Sequence, residues 1–201
     1  MGLLVNWNVL CWNIRGLNSG DKHLALSNAI VASGCSVLCL QETKKPVIDH
    51  AFIKSCCPHH FDQFAFVPSR GASGVIVTIW NSAIFTGTII ASKEFALVIR
   101  FQSTQSSQSW TLVNIYGPYQ GDPRTTYTNW LFSLSIPTNE DWLLVGDFNY
   151  IRSPDNRNKP GGNVNDMITF NDFTRSQSLV ELPIKGRTFT WSNMQQDPLL
   201  E

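Results

Sequence analysis

Apolar residues in this chain come in short blocks, and polar side chains sit where the blocks end. Val9–Ile14, Val37–Leu40, Gly74–Trp80, Phe95–Phe101, Trp110–Tyr116, Trp142–Val145 and Thr188–Trp191 read as strands. Val37–Leu40 is apolar throughout, which suits a strand covered on both faces. The Ser/Gln-rich stretch Gln102–Ser109 predicts a hairpin loop. Three segments carry helical spacing instead: Lys22–Ser33, Thr125–Leu134 and Asp166–Gln177, the last with Asn165 or Asp166 as its cap. Ser153–Asn165 is rich in Gly, Pro and Asn and predicts a loop of the kind that carries function.

Strands follow one another from Gly74 to Tyr116 without a helix between them. That order predicts an α+β fold, two mixed sheets packed face to face with helices outside, rather than a doubly wound parallel sheet. No repeat or linker divides the chain, so residues 1–201 are expected to form one domain.

Composition narrows the class. Apolar residues make up 43% and charged residues 15%, the reverse of a disordered chain. The formal net charge is zero, so no global field steers the chain toward nucleic acid. Cys11, Cys35, Cys39, Cys56 and Cys57 are odd in number and form no CxxC pair. They read as small buried hydrophobes of a reducing compartment, and the paired spacing of a zinc site is missing. His59-His60 beside Cys56-Cys57 reads as a surface loop or helix end. Met1–Leu10 is too short and polar for a signal peptide, no apolar run reaches membrane-spanning length, and no Lys/Arg cluster marks nuclear import.

The chemistry sits where the apolar blocks stop. Asn13 closes the first, Glu42 follows the second, Tyr116 ends the fifth, and Asp147 and Asn149 follow the sixth. Singly, each reads as a turn or cap residue. Pooled on one rim, two carboxylates with amides suit Mg²⁺, which takes carboxylate, water and phosphate oxygens, and do not suit zinc.

Four phrases then carry a resemblance: Cys11-Trp12-Asn13-Ile14-Arg15-Gly16-Leu17, Leu40-Gln41-Glu42-Thr43-Lys44, Asn114-Ile115-Tyr116-Gly117-Pro118 and Gly146-Asp147-Phe148-Asn149. They resemble, in order, the motifs of the endonuclease/exonuclease/phosphatase (DNase I-like) family. The likeness spans roughly residues 8 to 193. Within that family, CWNIRGLNS, LQETK, VNIYGPYQ, GDFNYIRSPDNRNKPGG and GRTFTWSN resemble the endonuclease of plant non-LTR (LINE-type) retrotransposons.

The resemblance implies a four-layer α/β/β/α sandwich and a metal-dependent enzyme that nicks DNA. It implies Glu42, helped by Asn13, as ligands of Mg²⁺ or Mn²⁺. Asp147 would orient or deprotonate the attacking water, Asn149 would donate to phosphate oxygens, and Tyr116 would help position the phosphate. Arg15, Lys44 and Arg152 would contact the DNA backbone. A reverse transcriptase module is implied in the parent element, and an intracellular, nuclear location follows from the retroelement reading.

One departure accompanies the likeness. The family's final Arg/Asp and Ser-Asp-His strands have no counterpart here, and His23, His50, His59 and His60 all precede Gly146. The expectation is a fragment or decayed copy with weak activity or none. A phosphoinositide or other lipid phosphoesterase of the same fold, and a non-catalytic remnant, are the alternatives.

Overall fold

A computed structural model describes residues 7–69, 74–137, 139–186 and 188–201. The first six residues, tested above for a signal peptide, and Arg187 of the GRTFTWSN phrase lie outside them. The chain forms two compact units: Met1–Gln120 with Pro137–Phe148, and Gly121–Ile136 with Asn149–Glu201.

The first unit holds both sheets. One sheet contains β1 (Val9–Asn13), β2 (Val37–Gln41), β3 (Gln63–Val67) and β4 (Ile76–Trp80) in the order β1-β2-β4-β3. The other contains β5 (Phe85–Lys93), β6 (Ala96–Ser103), β7 (Ser109–Tyr116) and β8 (Asp141–Asp147) in sequence order. Both are mixed, and each has one parallel pair. β1 runs with β2, pairing Asn13 with Gln41, and β7 runs with β8, pairing Tyr116 with Asp147. A parallel pair needs a long crossover, and a helix supplies each one: α1 (Gly20–Ser33) between β1 and β2, and α3 (Asp122–Ser133) between β7 and β8.

Alternation decides which face each strand buries. Val37 and Cys39 of β2, Ile76 and Trp80 of β4, Leu97, Ile99 and Phe101 of β6, and Trp110 and Leu112 of β7 form one core between the sheets. The intervening residues of the first sheet, Leu38, Leu40, Val77 and Ile79, form a second core. It is closed by Leu26 and Ile30 of α1 and by Ile53 and Cys56 of α2 (His50–Cys56). Thus Val37–Leu40 of β2 is apolar throughout because it is covered on both faces. Asp49 caps α2, its carboxylate accepting from the Phe52 N–H at 2.7 Å. Gly34 ends α1 in the left-handed region at φ 57°, with its N–H on the Ile30 and Val31 carbonyls.

The second unit is built on α3 and α4 (Val164–Ser176). Phe132 of α3 meets Phe173 of α4 edge-on at 6.0 Å, and Tyr150 stacks on Phe170 at 5.3 Å. The Arg124 guanidinium lies over the Tyr150 ring at 4.0 Å and donates to Asp166 at 2.8 Å. The Ser153–Asn165 loop is ordered by contacts of its own. Asn158 pairs with Leu200 through backbone and side chain, and Lys159 donates to the Asp197 carbonyl at 2.7 Å.

Four expectations are corrected. Thr188–Trp191 is not a strand: its N–H groups at Thr190 and Trp191 both go to the Glu201 carbonyl, and the segment's pairing is one isolated bridge, Ser192 with Leu200. β-branched and aromatic residues favour a strand only where a neighbouring ladder exists. Cys11 is exposed, whereas the other four cysteines are buried. It lies on β1, an edge strand, where apolar neighbours in sequence do not guarantee cover. The cap of α4 is Asn163, whose side chain accepts from the Asn165 and Asp166 N–H groups, so the helix starts earlier than expected. The elements α2, β3 and β5 were not expected at all.

Candidate active site

The C-terminal ends of the two parallel pairs bring four of the expected residues together. Asn13 ends β1, Glu42 follows β2, Tyr116 ends β7 and Asp147 ends β8. The Asn13 amide nitrogen donates to Glu42 Oε1 at 2.8 Å and to Asp147 Oδ2 at 2.7 Å. Both neighbours only accept, so the network itself assigns the nitrogen to this side of the amide. The Asn13 oxygen accepts instead from the Arg15 N–H at 3.3 Å. In this arrangement Asn13 therefore holds the two carboxylates, one from each sheet, through its donor end.

Tyr116 completes the cluster. Its hydroxyl is hydrogen-bonded to Glu42. Burial raises its pKa well above the ordinary tyrosine value, the Glu42 charge and hydrogen bond and the Asp147 charge push the same way, and Arg15 opposes them. The phenol therefore stays protonated throughout the neutral range and acts as a donor.

Local backbone geometry explains the placement. Glu42, Arg15 and Lys44 all sit in the left-handed region, at φ 55°, 49° and 53°. Such non-glycine conformations persist where surrounding structure over-determines them. Here the surroundings are identifiable. The Gly16 N–H donates to the Glu42 carbonyl at 2.6 Å, the Leu17 N–H to the Thr43 carbonyl at 2.9 Å, and the Thr43 N–H to the Val75 carbonyl at 3.4 Å. Lys22 Nζ of α1 donates to the Ile14 and Arg15 carbonyls, both at 2.9 Å.

Two glycines make the approach possible. A Cβ on Gly74 would lie 2.7 Å from Glu42 Cα. A Cβ on Gly146, at φ 132°, would lie 1.9 Å from the Ile115 carbonyl oxygen. Gly146 thus lets β8 close on β7 where Asp147 pairs with Tyr116.

The other expected residues divide between the two units. Asn149 belongs to the second unit, at φ 52°, where its carbonyl accepts from Arg124 at 3.1 Å. Arg152 is in the same unit and is engaged by Asn171 at 2.9 Å and by Glu181 at 2.5 Å. Arg15 and Lys44 are exposed beside the cluster in the first unit.

Sequence reasoning passed over Lys22, Gly74, Gly146 and two buried amides, Gln41 and Asn114. A signal for the amides was present. Trp110, Leu112, Asn114 and Tyr116 share one face of β7, and Val37, Cys39 and Gln41 share one face of β2, so each amide interrupts an apolar series.

The cluster suits a hard cation. Among the described residues no group of three or more His, Cys, Asp or Glu side chains converges. Two carboxylates linked by an amide instead match Mg²⁺, which keeps several waters and takes one or two protein carboxylates with substrate phosphate. Glu42 is placed to give such an ion a carboxylate, with the Asn13 amide against it and the Asp147 carboxylate alongside.

Comparison with known proteins gives the cluster its context. The solved AP endonuclease LMAP of Leishmania major superposes with a TM-score of 0.62 at 20% identity, over 85% of this chain and 66% of that one. The endonuclease domain of TRAS1, a telomere-specific non-LTR retrotransposon, gives 0.67 at 12% identity, over 97% and 81%. An AP endonuclease from Archaeoglobus fulgidus gives 0.61 at 12%, over 85% and 70%. These likenesses show the fold. This chain thus spans just under two thirds of the Leishmania enzyme. The sequence profile of the Endonuclease/Exonuclease/phosphatase family matches residues 10–197, a span that takes in the whole Asn13–Glu42–Tyr116–Asp147 cluster. By that match this chain belongs to the endonuclease/exonuclease/phosphatase family, whose members generally depend on a divalent metal.

Proposed function

We propose that the cluster is a phosphodiester-hydrolysing site dependent on Mg²⁺ or Mn²⁺, acting on DNA as a nicking endonuclease of the retroelement type. The observation that carries it is the Asn13 amide held between Glu42 and Asp147, 2.8 and 2.7 Å from the two carboxylates. The retrotransposon-like phrasing of the four motifs, and the likeness to the TRAS1 domain, support DNA as the substrate. On this reading the parent element encodes a reverse transcriptase and works in the nucleus.

Glu42 would hold the ion, with Asn13 beside it. A bound divalent ion supplies charge neutralisation at a phosphate oxygen and at the leaving oxygen. Asp147 orients the attacking water and takes its proton. Tyr116, kept protonated, donates toward a phosphate oxygen. Arg15 and Lys44 take the DNA backbone. Arg152 stabilises its own unit through Asn171 and Glu181.

The described contacts of the four histidines lie elsewhere: His23 with the Leu17 carbonyl, His50 with Phe64, and His59 and His60 with each other and Phe61. The proposed set therefore works without an imidazole. Losing one general acid or base group typically costs about 10²–10⁴ in rate, so turnover is expected to be slow.

The test is incubation of the chain with supercoiled plasmid, and separately with phosphoinositide vesicles, in Mg²⁺ or EDTA, beside Glu42→Ala. Slow Mg²⁺-dependent plasmid nicking that the variant loses is expected. Nicking in EDTA, lipid phosphate release without nicking, or a folded chain that neither nicks nor binds Mn²⁺ rejects the proposal.

A further inference from the structure

Behind the carboxylates, in the core between the sheets, lies a chain of buried polar groups. Gln41 and Asn114 are both completely buried. Gln41 Nε2 donates to Asn114 Oδ1 at 2.6 Å. Asn114 Nδ2 donates in turn to the Val77 carbonyl at 3.0 Å and to the Thr78 hydroxyl at 3.1 Å. The carbonyl can only accept, so the orientation of both amides is set from that end. The chain crosses between sheets twice, from β2 to β7 and back to β4.

Its position is specific. Gln41 pairs in register with Asn13 and precedes Glu42. Asn114 lies two residues before Tyr116 on the same face of β7, and pairs with Val145 of β8, two residues before Asp147. The four residues of the cluster are thus one or two residues from this link, or paired with it.

Stability alone does not call for such a link. Exchanging both partners of a buried hydrogen bond for apolar groups of the same shape can be nearly neutral. Apolar packing between two sheets is non-directional and tolerates small sliding, whereas a 2.6 Å amide link does not. We infer that Gln41 and Asn114 are positioning residues that lock the register of the two sheets at this rim, and so set the spacing of Glu42 and Asp147 that Asn13 spans.

The inference leans on the metal-site reading for its second readout alone. The variants are the isosteric apolar pair Gln41→Met with Asn114→Leu, and Gln41→Met by itself, which leaves Asn114 bonded to Val77 and Thr78. The first readout needs no metal: the side-chain amide signals of Asn13 in the nuclear magnetic resonance spectrum, assigned by their loss in Asn13→Ala. In the parent chain these protons are expected to be shifted and slow to exchange, because two carboxylates hold them. In the double variant they should move to free-amide values while the melting temperature stays within about 5 °C. Mn²⁺ affinity should fall about 10- to 100-fold, as for other supports of metal ligands.

An unchanged Asn13 signal in a folded variant overturns the inference. So does unfolding of both variants, which would make the link a purely structural one. A parent chain that shows the Asn13 signal but binds no Mn²⁺ sinks the proposed function instead, and leaves the positioning role standing on the first readout.

Discussion

The interior between the sheets has two ends of opposite chemistry. At the end where β1, β2, β7 and β8 begin, Trp7, Phe85, Phe101 and Trp110 interlock, with Trp7 edge-on to Phe85 at 5.0 Å and Phe101 against Trp110 at 5.1 Å. At the end where those strands stop, Gln41 and Asn114 give way to Asn13, Glu42, Tyr116 and Asp147. The same alternating pattern builds both, with only the residue type changing along the strand. The aromatic end supplies area removed from water, which favours folding without fixing where atoms lie. The polar end supplies direction. Substitutions at the two ends should therefore separate stability from chemistry.

The sharpest separation comes from Asp147→Ala. Removing the proposed base should lower the nicking rate by about 10²–10⁴, or abolish it, with the melting temperature unchanged or slightly raised as one of two neighbouring carboxylates disappears. Plasmid nicking and calorimetry check it. A variant that nicks at the parent rate would remove Asp147 from the chemistry.

The converse substitution is Phe101→Ala. Phe101 is fully buried between Phe85, Trp80 and Trp110. Its loss should destabilise the chain by about 3–5 kcal/mol in urea titrations. Mn²⁺ affinity, measured on the folded variant, should hardly change. A large loss of affinity with little loss of stability would mean that the two ends are not separable.

The comparison also shows what the sequence could tell. The polar end was legible because each of its residues closes an apolar run, and a run that ends on Asn, Glu, Tyr or Asp leaves a visible edge. Asn114 was less visible because it sits inside a run and looks like a single interruption, and Gln41 because it stands beside Glu42, which drew the attention. Gly74 and Gly146 gave no local sign, since what they do depends on Glu42 and Ile115, distant in sequence. The missed elements have related causes. Helix α2 is seven residues long, too short to display a period. Strand β5 carries Gly87 and a mostly exposed, polar face on a sheet edge, so it lacks an apolar run. Thr188–Trp191 failed in the opposite direction, with strand-like residues that meet only the short stretch ending at Glu201 among the described residues.

Gly74→Ala tests the boundary between the ends. The added Cβ would lie 2.7 Å from Glu42 Cα and 3.0 Å from its Cγ. Overpacking of this kind costs about 1–3 kcal/mol. Glu42 should shift, so Mn²⁺ affinity is expected to fall as well. Loss of stability with affinity intact would show that Glu42 keeps its position by other means.

The smallest effect is a pH dependence that belongs to the polar end alone. Tyr116 has its pKa raised in the folded chain, first by burial and then by Glu42. The folded state therefore holds the phenol proton more tightly than the unfolded chain does. The resulting stabilisation is fully present below the unfolded tyrosine value of about 10, and is lost as pH rises beyond it. Tyr116 is half-buried, so solvent screening should keep the effect under about 1 kcal/mol. Tyr116→Phe has no proton to lose at this position, so the comparison isolates the one phenol. The stability gap between parent and variant, read from urea midpoints, should therefore be constant from about pH 7 to 9 and narrow above about pH 10. A gap that stays constant through that range would mean that the Tyr116 proton is held no more tightly in the folded chain than in the unfolded one. The hydroxyl would then not be held by Glu42, and Tyr116 would leave the set of groups that tie the polar end together.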